Sequence, residues 1–233
     1  PNVTDDYRRG YLSGIIRGDG HLAIHGPRTN VYVRKNRGNK LYARTDVPYQ
    51  FVLRLQDNEP LARARDYLLH FGLETKTFHF TRTMEGIRSS SARAFHAISR
   101  LIEWSESPEY LRGFLAGIYD AEGSHSGHAI RISNNDREIL GYIERALKIH
   151  HFEYVYDVPH DAPGGLVHTI RIKGGVAGHI RFWQTTDPAI SRKRSLVGSS
   201  LKGRSRIVRI TDLGYEDTMY DIQTSSETFF ANG

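Results

Sequence analysis

Apolar residues in this chain follow two periods in turn, and the sequence runs through the pattern twice. Leu12–Gly20 (LSGIIRGDG) and Leu115–Gly123 (LAGIYDAEG) each read as an apolar helix striped with small residues. Alternating runs follow each helix. Leu53-Arg54-Leu55-Gln56-Asp57-Asn58 resembles Ile130-Arg131-Ile132-Ser133-Asn134-Asn135, 77 positions later, and each run leads into a helical segment, Glu59–Phe71 and Asp136–Ile149. Strand-like runs at Thr75–Arg82 and Glu153–Val158, and at Gly86-Ile87-Arg88 and Thr169-Ile170-Arg171, precede helices at Ala92–Trp104 and Val176–Thr185. Ser107-Pro108 supplies an N-cap and a first-turn proline for the second striped helix. The expected architecture is α+β, two αββαββα halves with antiparallel strands and a small C-terminal β appendage. The expected boundaries are 1–106, 107–203 and 204–233.

The stripes carry the first piece of chemistry. Gly10, Gly14 and Gly18 recur at every fourth position, as do Gly113, Gly117 and Ala121. A mid-helix glycine costs about 0.5–1 kcal/mol relative to alanine. Its repetition in both helices therefore predicts that the stripes pack on each other with backbones in close approach. Asp19 and Glu122, 103 positions apart, follow the last small residue of each stripe, so crossed stripes bring both carboxylates out side by side. Gly20 and Gly123 are expected as left-handed caps. Acids at a helix C-terminus oppose the macrodipole by about 0.3–1 kcal/mol and repel each other. A hard divalent cation removes both penalties. Mg²⁺, with one or two carboxylates, several waters and substrate phosphate, is the expected cofactor. A glycine-rich helical hairpin with solvated acids is the plainer alternative, and the duplication of stripe, acid and glycine argues against it.

Strand alternation adds a face. With Leu53 and Leu55 inward, Gln50, Arg54 and Gln56 lie outward. Arg131 and Ser133, Arg171 and Lys173, and Arg88 do the same in their strands. Such a face suits a β-ribbon reader of the DNA major groove, where Arg takes guanine and Gln adenine. An ordinary solvated sheet face is the alternative. The first half also carries 26 extra residues between helix and strand, expected to form a grafted hairpin or long loop. Six basic residues fall there, Arg28, Arg34, Lys35, Arg37, Lys40 and Arg44, with no acid among them. A second acid-free stretch, Arg192–Arg209, holds seven basic residues, Arg192 and Arg194 included. Beside a metal-ready acid pair, such runs point to phosphate contact.

Composition narrows the class. With 32 Lys+Arg against 26 Asp+Glu the net charge is +6. No cysteine is present, which excludes disulfides, thiolate metal sites and a cysteine nucleophile. No apolar run approaches the roughly 18 residues of a membrane span and no signal-peptide pattern opens the chain, so a soluble, cytoplasmic protein with access to DNA is expected. The twelve histidines show no matched ligand spacing, and His125, His128, His150 and His151 are expected at the surface or in a groove.

The two striped helices resemble the signature helices of the LAGLIDADG homing endonucleases, in the single-chain form with two pseudo-symmetric halves. Against the nine-residue signature the second copy departs mainly at Tyr119 and Glu122, the first at Ser13, Ile15, Arg17 and Gly18. Arg17 replaces an acid at the sixth position, and the eighth, taken as catalytic, stays acidic in both. The resemblance implies a saddle of two sheets over a long, pseudo-palindromic duplex DNA site, a monomeric enzyme, and phosphodiester hydrolysis with Mg²⁺ or Mn²⁺, with Ca²⁺ binding but not supporting turnover. It implies metal ligation by Asp19, Glu122 and the carbonyls of Gly18 and Ala121. A polar residue ending the second strand of each half would order the attacking water, Gln56 in the first and Ser133 in the second. It also suggests a lysine five residues after a proline, and Pro188–Lys193 has that spacing. Lys193 either activates water and steadies the transition state or is one charge of the run Arg192-Lys193-Arg194. The first half has no lysine between Lys76 and Lys148, which makes the two strand cleavages unequal if the lysine matters.

Ile207–Gly233 repeats neither half. Tyr220-Asp221-Ile222 and Phe229–Gly233 resemble the closing strands of an intein splicing domain. Without the terminal His-Asn and with Pro1 first, the chain is expected to be an intein-derived endonuclease portion that does not itself splice. Two other readings use the same scaffold, an RNA maturase and a non-catalytic DNA-binding regulator.

Overall fold

The first half runs α1 (Asp5–Asp19), β1 (Gly20–Ile24), β2 (Arg28–Arg34), β3 (Lys40–Asp46), β4 (Tyr49–Leu55), α2 (Asn58–His70), β5 (Lys76–His79), β6 (Glu85–Ser89) and α3 (Ala92–Leu101). The second runs α4 (Pro108–Glu122), β7 (Gly123–Ser126), β8 (Ala129–Asn134), α5 (Arg137–Ile149), β9 (Tyr154–Tyr156), β10 (His160–Ala162), β11 (Gly165–Ile172) and α6 (Gly175–Thr186), closed by a 3₁₀ turn at Ser191–Arg194. This computed structural model describes residues 3–34, 40–126, 128–197 and 214, and for 30–34, 40–42, 44 and 46 the backbone alone. Two compact units separate, Pro1–Leu201 and Lys202–Gly233, and both halves belong to the first. Lys35, Arg37 and the expected tail strands of 207–233 lie outside the described residues.

The fold is α+β, with antiparallel sheets in the orders β1-β4-β6-β5 and β10-β11-β8-β7, β9 also pairing with β11. Alternation holds over most of these strands: Phe51, Leu53 and Leu55 are buried while Arg54 is exposed, though Val52 on the outward side is also buried, and Ile130, Ile132, Ile170 and Ile172 are buried beneath Arg131 and Arg171. The inward rows meet α1 and α2 in one core and α4, α5 and α6 in another. The grafted segment is a hairpin, β2 with β3, in register from Arg28 opposite Asp46 to Arg34 opposite Lys40.

Two expectations shift. The helix drawn to Trp104 stops at Leu101, because Trp104 turns away to stack on Tyr142 with centroids 4.1 Å apart. His125 is a packing residue, half-buried with its ring 5.2 Å from that of buried His179 and 5.1 Å from Trp183. Burial lowers the pKa of His125 and, with the neighbouring His125 and His128 charges, that of His179 to about 4.

The seam between α1 and α4 joins the halves, and it is reciprocal. A Cβ on Gly10 would lie 1.9 Å from the Tyr110 carbonyl oxygen, and one on Gly113 would lie 2.1 Å from that of Tyr7. Gly14 meets the Phe114 carbonyl at 2.4 Å and Gly117 that of Tyr11 at 2.1 Å by the same construction. Backbone thus packs on backbone at the first two positions of each stripe, and at the third Gly18 faces the Ala121 methyl group. The N-terminal end closes in kind: Thr4 and Ser107, whose hydroxyls accept from the Tyr7 and Tyr110 amides, each donate to an acid of the other helix, Glu109 at 3.4 Å and Asp6 at 2.7 Å.

At the other end Gly20 and Gly123 are not left-handed caps. Both are extended, with φ near −83° and −85°. A Cβ on Gly20 would strike Ile16 O at 2.5 Å and one on Gly123 the Tyr119 ring at 2.2 Å. Glycine is required by the close turn from helix into strand and not by a positive φ.

Strand pairing also corrects the alignment of the halves. Gly20 pairs with Leu53 and Gly123 with Ile132. Leu53 therefore corresponds to Ile132, a spacing of 79, and the first half carries 24 extra residues, the difference from the 103 between the acids. The counterpart of Gln56 becomes Asn135, and Ser133 corresponds to Arg54.

Candidate active site

Asp19 and Glu122 end α1 and α4 on the same side of the seam. A Cβ on Gly18 would touch Ala121 Cβ at 2.5 Å and Glu122 Cγ at 3.3 Å. Burial raises the pKa of both carboxyls. The Asp19 charge raises that of Glu122 further, and Lys193 pulls both down in part. The last four carbonyls of a helix have no partner within it, so Gly18 and Ala121 offer oxygens beside the acids. Two carboxylates, helix-end carbonyls and excess negative charge fit a hard divalent cation better than a proton. Among the described residues no cluster of three or more His, Cys, Asp or Glu side chains offers an alternative site.

Two clefts flank the acids. One, of ≈ 230 Å³, is lined by Asp19, Arg54, Gln56, Asp57, Ala121, Arg192 and Lys193 among others. The other, of ≈ 440 Å³, is lined by Arg17, Gly18, Glu122, Ser133, Asn134, Asn135 and Asp136 among others. At the 79-residue spacing their strand and loop residues correspond one to one: Arg54 with Ser133, Gln56 with Asn135, Asp57 with Asp136. Each cleft combines the acid of one half with the pre-acid residue of the other. Gln56 is exposed into its cleft, whereas the Ser133 hydroxyl pairs with Thr169 Oγ1 at 2.8 Å. Asn135, which the sequence comparison overlooked, donates to Gly164 O at 2.8 Å and keeps its amide oxygen.

The clefts differ in their cations. Lys193 is buried, with Nζ donating to Tyr119 O at 3.2 Å and Asp120 O at 2.7 Å, the helix end beside Ala121. Burial lowers its pKa, and the charges of Asp120, Asp57 and Asp19 partly restore it. A buried Asp120, also missed from sequence, holds this segment in place: it accepts from the amides of Ala189 and Ile190 at 2.7 and 3.0 Å and from Tyr11 Oη at 2.7 Å. Arg17 occupies the matching signature position in α1 and reverses the polarity. Its Nη2 donates to Ile102 O at 3.1 Å after α3, as Asp120 accepts after α6. The signal in the sequence was the acid at the sixth signature position, which Asp120 keeps and Arg17 replaces.

The arginines expected on the outer face are held in different ways. Arg54 and Arg88 lie over the rings of Phe80 and Phe78, at 4.4 and 5.2 Å. Arg131 and Arg171 both donate Nε to Asp157, at 3.0 and 2.8 Å, which lowers the pKa of that carboxyl. Lys173 meets Glu153 at 3.3 Å, Gln50 Oε1 lies 2.9 Å from His25 Nε2, and Arg28 is exposed at the base of the hairpin. The backbone positions of Arg34, Lys40 and Arg44 are on β2 and β3. Arg192 grips Asp57 with two bonds of 2.8 and 2.7 Å, and Arg194 meets Asp187 at 3.0 Å. Both therefore brace the Lys193 turn, a role the sequence reading did not include.

Residues 109–160 match a family model described as a LAGLIDADG-like domain. No curated protein matches the chain by sequence. Among solved structures, the homing endonuclease I-DmoI in complex with DNA and Ca aligns with a TM-score of 0.57 at 19% identity, covering 83% of this chain and 98% of that one. I-DmoI in complex with DNA and Mn gives 0.54 at 19%, covering 78% and 97%. Full-length DUF199/WhiA from Thermatoga maritima gives 0.52 at 15%, covering 83% of this chain and 59% of that one. The chain thus carries a LAGLIDADG-like domain within a single-chain, two-half LAGLIDADG homing-endonuclease fold.

Proposed function

We propose that this protein is a site-specific, double-strand DNA endonuclease that acts as a monomer and hydrolyses phosphodiesters with a divalent cation, Mg²⁺ or Mn²⁺. The observation that carries the reading is the pair of crossed clefts, each joining the acid of one half to the pre-acid residue of the other at the end of a backbone-tight seam. Asp19 and Glu122, with the carbonyls of Gly18 and Ala121, would hold the cation, which supplies charge neutralisation at the phosphate and a more acidic water. Gln56 would orient water in the first cleft, and Ser133 or Asn135 in the second. Lys193, fixed by two carbonyls beside the acids, would place a positive charge against the developing negative charge on phosphate. The outer faces of both sheets, with Gln50, Arg54, Arg88, Arg131, Arg171 and Lys173, would lie in the major groove. Arg28, Arg34, Lys35, Arg37, Lys40 and Arg44 would extend the contact. I-DmoI structures with target DNA and Mn, Ca or Mg support both the partner and the cation class.

The decisive experiment incubates the protein with a randomised duplex library in Mg²⁺ and in EDTA. Mg²⁺-dependent cuts at one long, imperfectly palindromic site are expected, and Asp19→Asn or Glu122→Gln should lower cleavage by on the order of 10²-fold or more while leaving binding largely intact. Undiminished cleavage by both variants would sink the mechanism. A non-cutting nucleic-acid binder, regulator or maturase, is the second reading, favoured by the bonded Ser133 hydroxyl and by the absence of a lysine among the described residues that line the second cleft. Such a binder would hold its site equally well in chelator.

A further inference from the structure

The two sheets place an arginine at one corresponding position and secure it by opposite means. Ile87 and Ile170 correspond through their pairing with Leu53 and Ile132, so Arg88 corresponds to Arg171. Thr77 pairs with Ile87 and Tyr156 with Ile170, so Phe78 corresponds to the residue after Tyr156, Asp157. The arginine of the first half therefore rests on a ring, and that of the second on a carboxylate in the same place. Each arginine also faces a basic or partly basic cross-strand neighbourhood: Arg88 is opposite Lys76, and Arg171 is opposite Arg131.

Charge relief alone does not explain Asp157. Like charges directly opposite each other weaken a sheet, yet the Lys76 and Arg88 pair stands without any carboxylate partner among the described residues. What Asp157 adds is direction. A guanidinium over a ring is held by its face with none of its donors fixed, whereas one bonded through Nε has its terminal fork aimed. Arg171 gives only Nε to Asp157, so both terminal nitrogens remain for a ligand. Arg131 is tied twice, through Nε to Asp157 and Nη1 to Ser126 O at 2.9 Å. A fixed fork of two donors matches the O6 and N7 pair of guanine, and a carboxylate beside it repels phosphate.

We propose that Asp157 is a positioning residue for base recognition: it aims Arg171 at a guanine in the half-site covered by the second half, while Arg54 and Arg88, loose on Phe80 and Phe78, give the first half affinity with weaker base discrimination. The proposal rests on the DNA-binding reading above and adds an inequality between the two half-sites.

The test uses the full chain in Ca²⁺, the selected site, and a panel of duplexes in which every base pair is changed in turn. Wild-type protein should discriminate most sharply at a G·C pair in one half-site, the pair whose recognition Arg171→Ala removes. Asp157→Asn should lower discrimination there by about tenfold and leave the other half-site unchanged. Freed to reach phosphate, the arginines should steepen the slope of log K against log salt by about one. Arg171→Lys, which keeps the charge and loses the fork, should relax the same position, and it serves independently should Asp157→Asn fail to fold. An unchanged profile in both variants, or a uniform change across both half-sites, would overturn the proposal. Absence of any sequence-selective binding by the wild-type chain would instead overturn the endonuclease reading beneath it.

Discussion

Burial of both Asp19 and Glu122, and the Asp19 charge beside Glu122, favour the protonated form, and this sets the pH behaviour of the cation-free protein. In the unfolded chain both carboxyls ionise at ordinary values. In the folded chain they ionise later, so the cation-free fold loses stability as pH rises from the ordinary carboxylate range through the raised values. A bound cation reverses the sign, because it favours the ionised pair and its binding releases protons. Thermal melts should therefore show Ca²⁺ stabilising the wild-type protein increasingly as pH rises above the ordinary carboxylate range and through the raised ionisation of the pair. At a hundredfold excess over the dissociation constant the gain should be about 2.7 kcal/mol. In Asp19→Asn/Glu122→Gln the Ca²⁺ effect should vanish. A Ca²⁺ shift of equal size in that double variant would place the cation elsewhere.

At the scale of elements, the helical stripe was legible because glycine at every fourth position has few uses besides a close crossing, and the structure puts carbonyl oxygens where side chains would be. Gly14→Ala should lose about 1–3 kcal/mol in urea unfolding despite alanine's better helix propensity, since its Cβ would lie 2.4 Å from Phe114 O. Gly141→Ala, inside α5 with open space around it, should gain about 0.5–1 kcal/mol. Equal effects at the two sites would refute the account of the seam. The strand register was less legible. LRLQDN and IRISNN match best two residues away from the pairing that forms, because register follows from how each chain leaves its helix and turns, and not from side-chain likeness. That slip assigned Ser133 a position held by Asn135. Asp120 and Asp157 were passed over, and the bracing role of Arg192 was not foreseen, for a related reason: each acts through a partner distant in sequence.

Over the whole molecule the repeat is close in backbone and unequal in chemistry. The turn after α6 carries Lys193 into the first cleft, while α3 runs almost directly into α4 and brings no such residue to the second. On the endonuclease reading, one strand of a supercoiled plasmid target should be cut before the other, with open circles accumulating ahead of linear product. Lys193→Met should slow the faster cut by on the order of 10²-fold or more and flatten the difference between strands. Simultaneous cutting by the wild-type chain, or equal slowing of both strands, would show that the lysine serves the fold alone.

The α1 and α4 seam has one more implication. Its close contacts are made by peptide groups, which every sequence possesses, so the seam discriminates among partners by the spacing of small residues and very little else. Among the described residues, its middle is crossed by the bond of the Tyr11 hydroxyl on Asp120; beyond α4 the first half also holds the second through the Tyr7 hydroxyl on Thr186 O at 2.7 Å and through Asp57, which grips Arg192. A half taken from another protein with the same spacing, a carboxylate for Tyr11, a carbonyl for Tyr7 and an arginine for Asp57, would meet this one in the same register and bring its own acid to the same place. Such a joint makes each half a replaceable part, and on the endonuclease reading a molecule built this way would acquire a new asymmetric target by exchange of halves as readily as by point substitution.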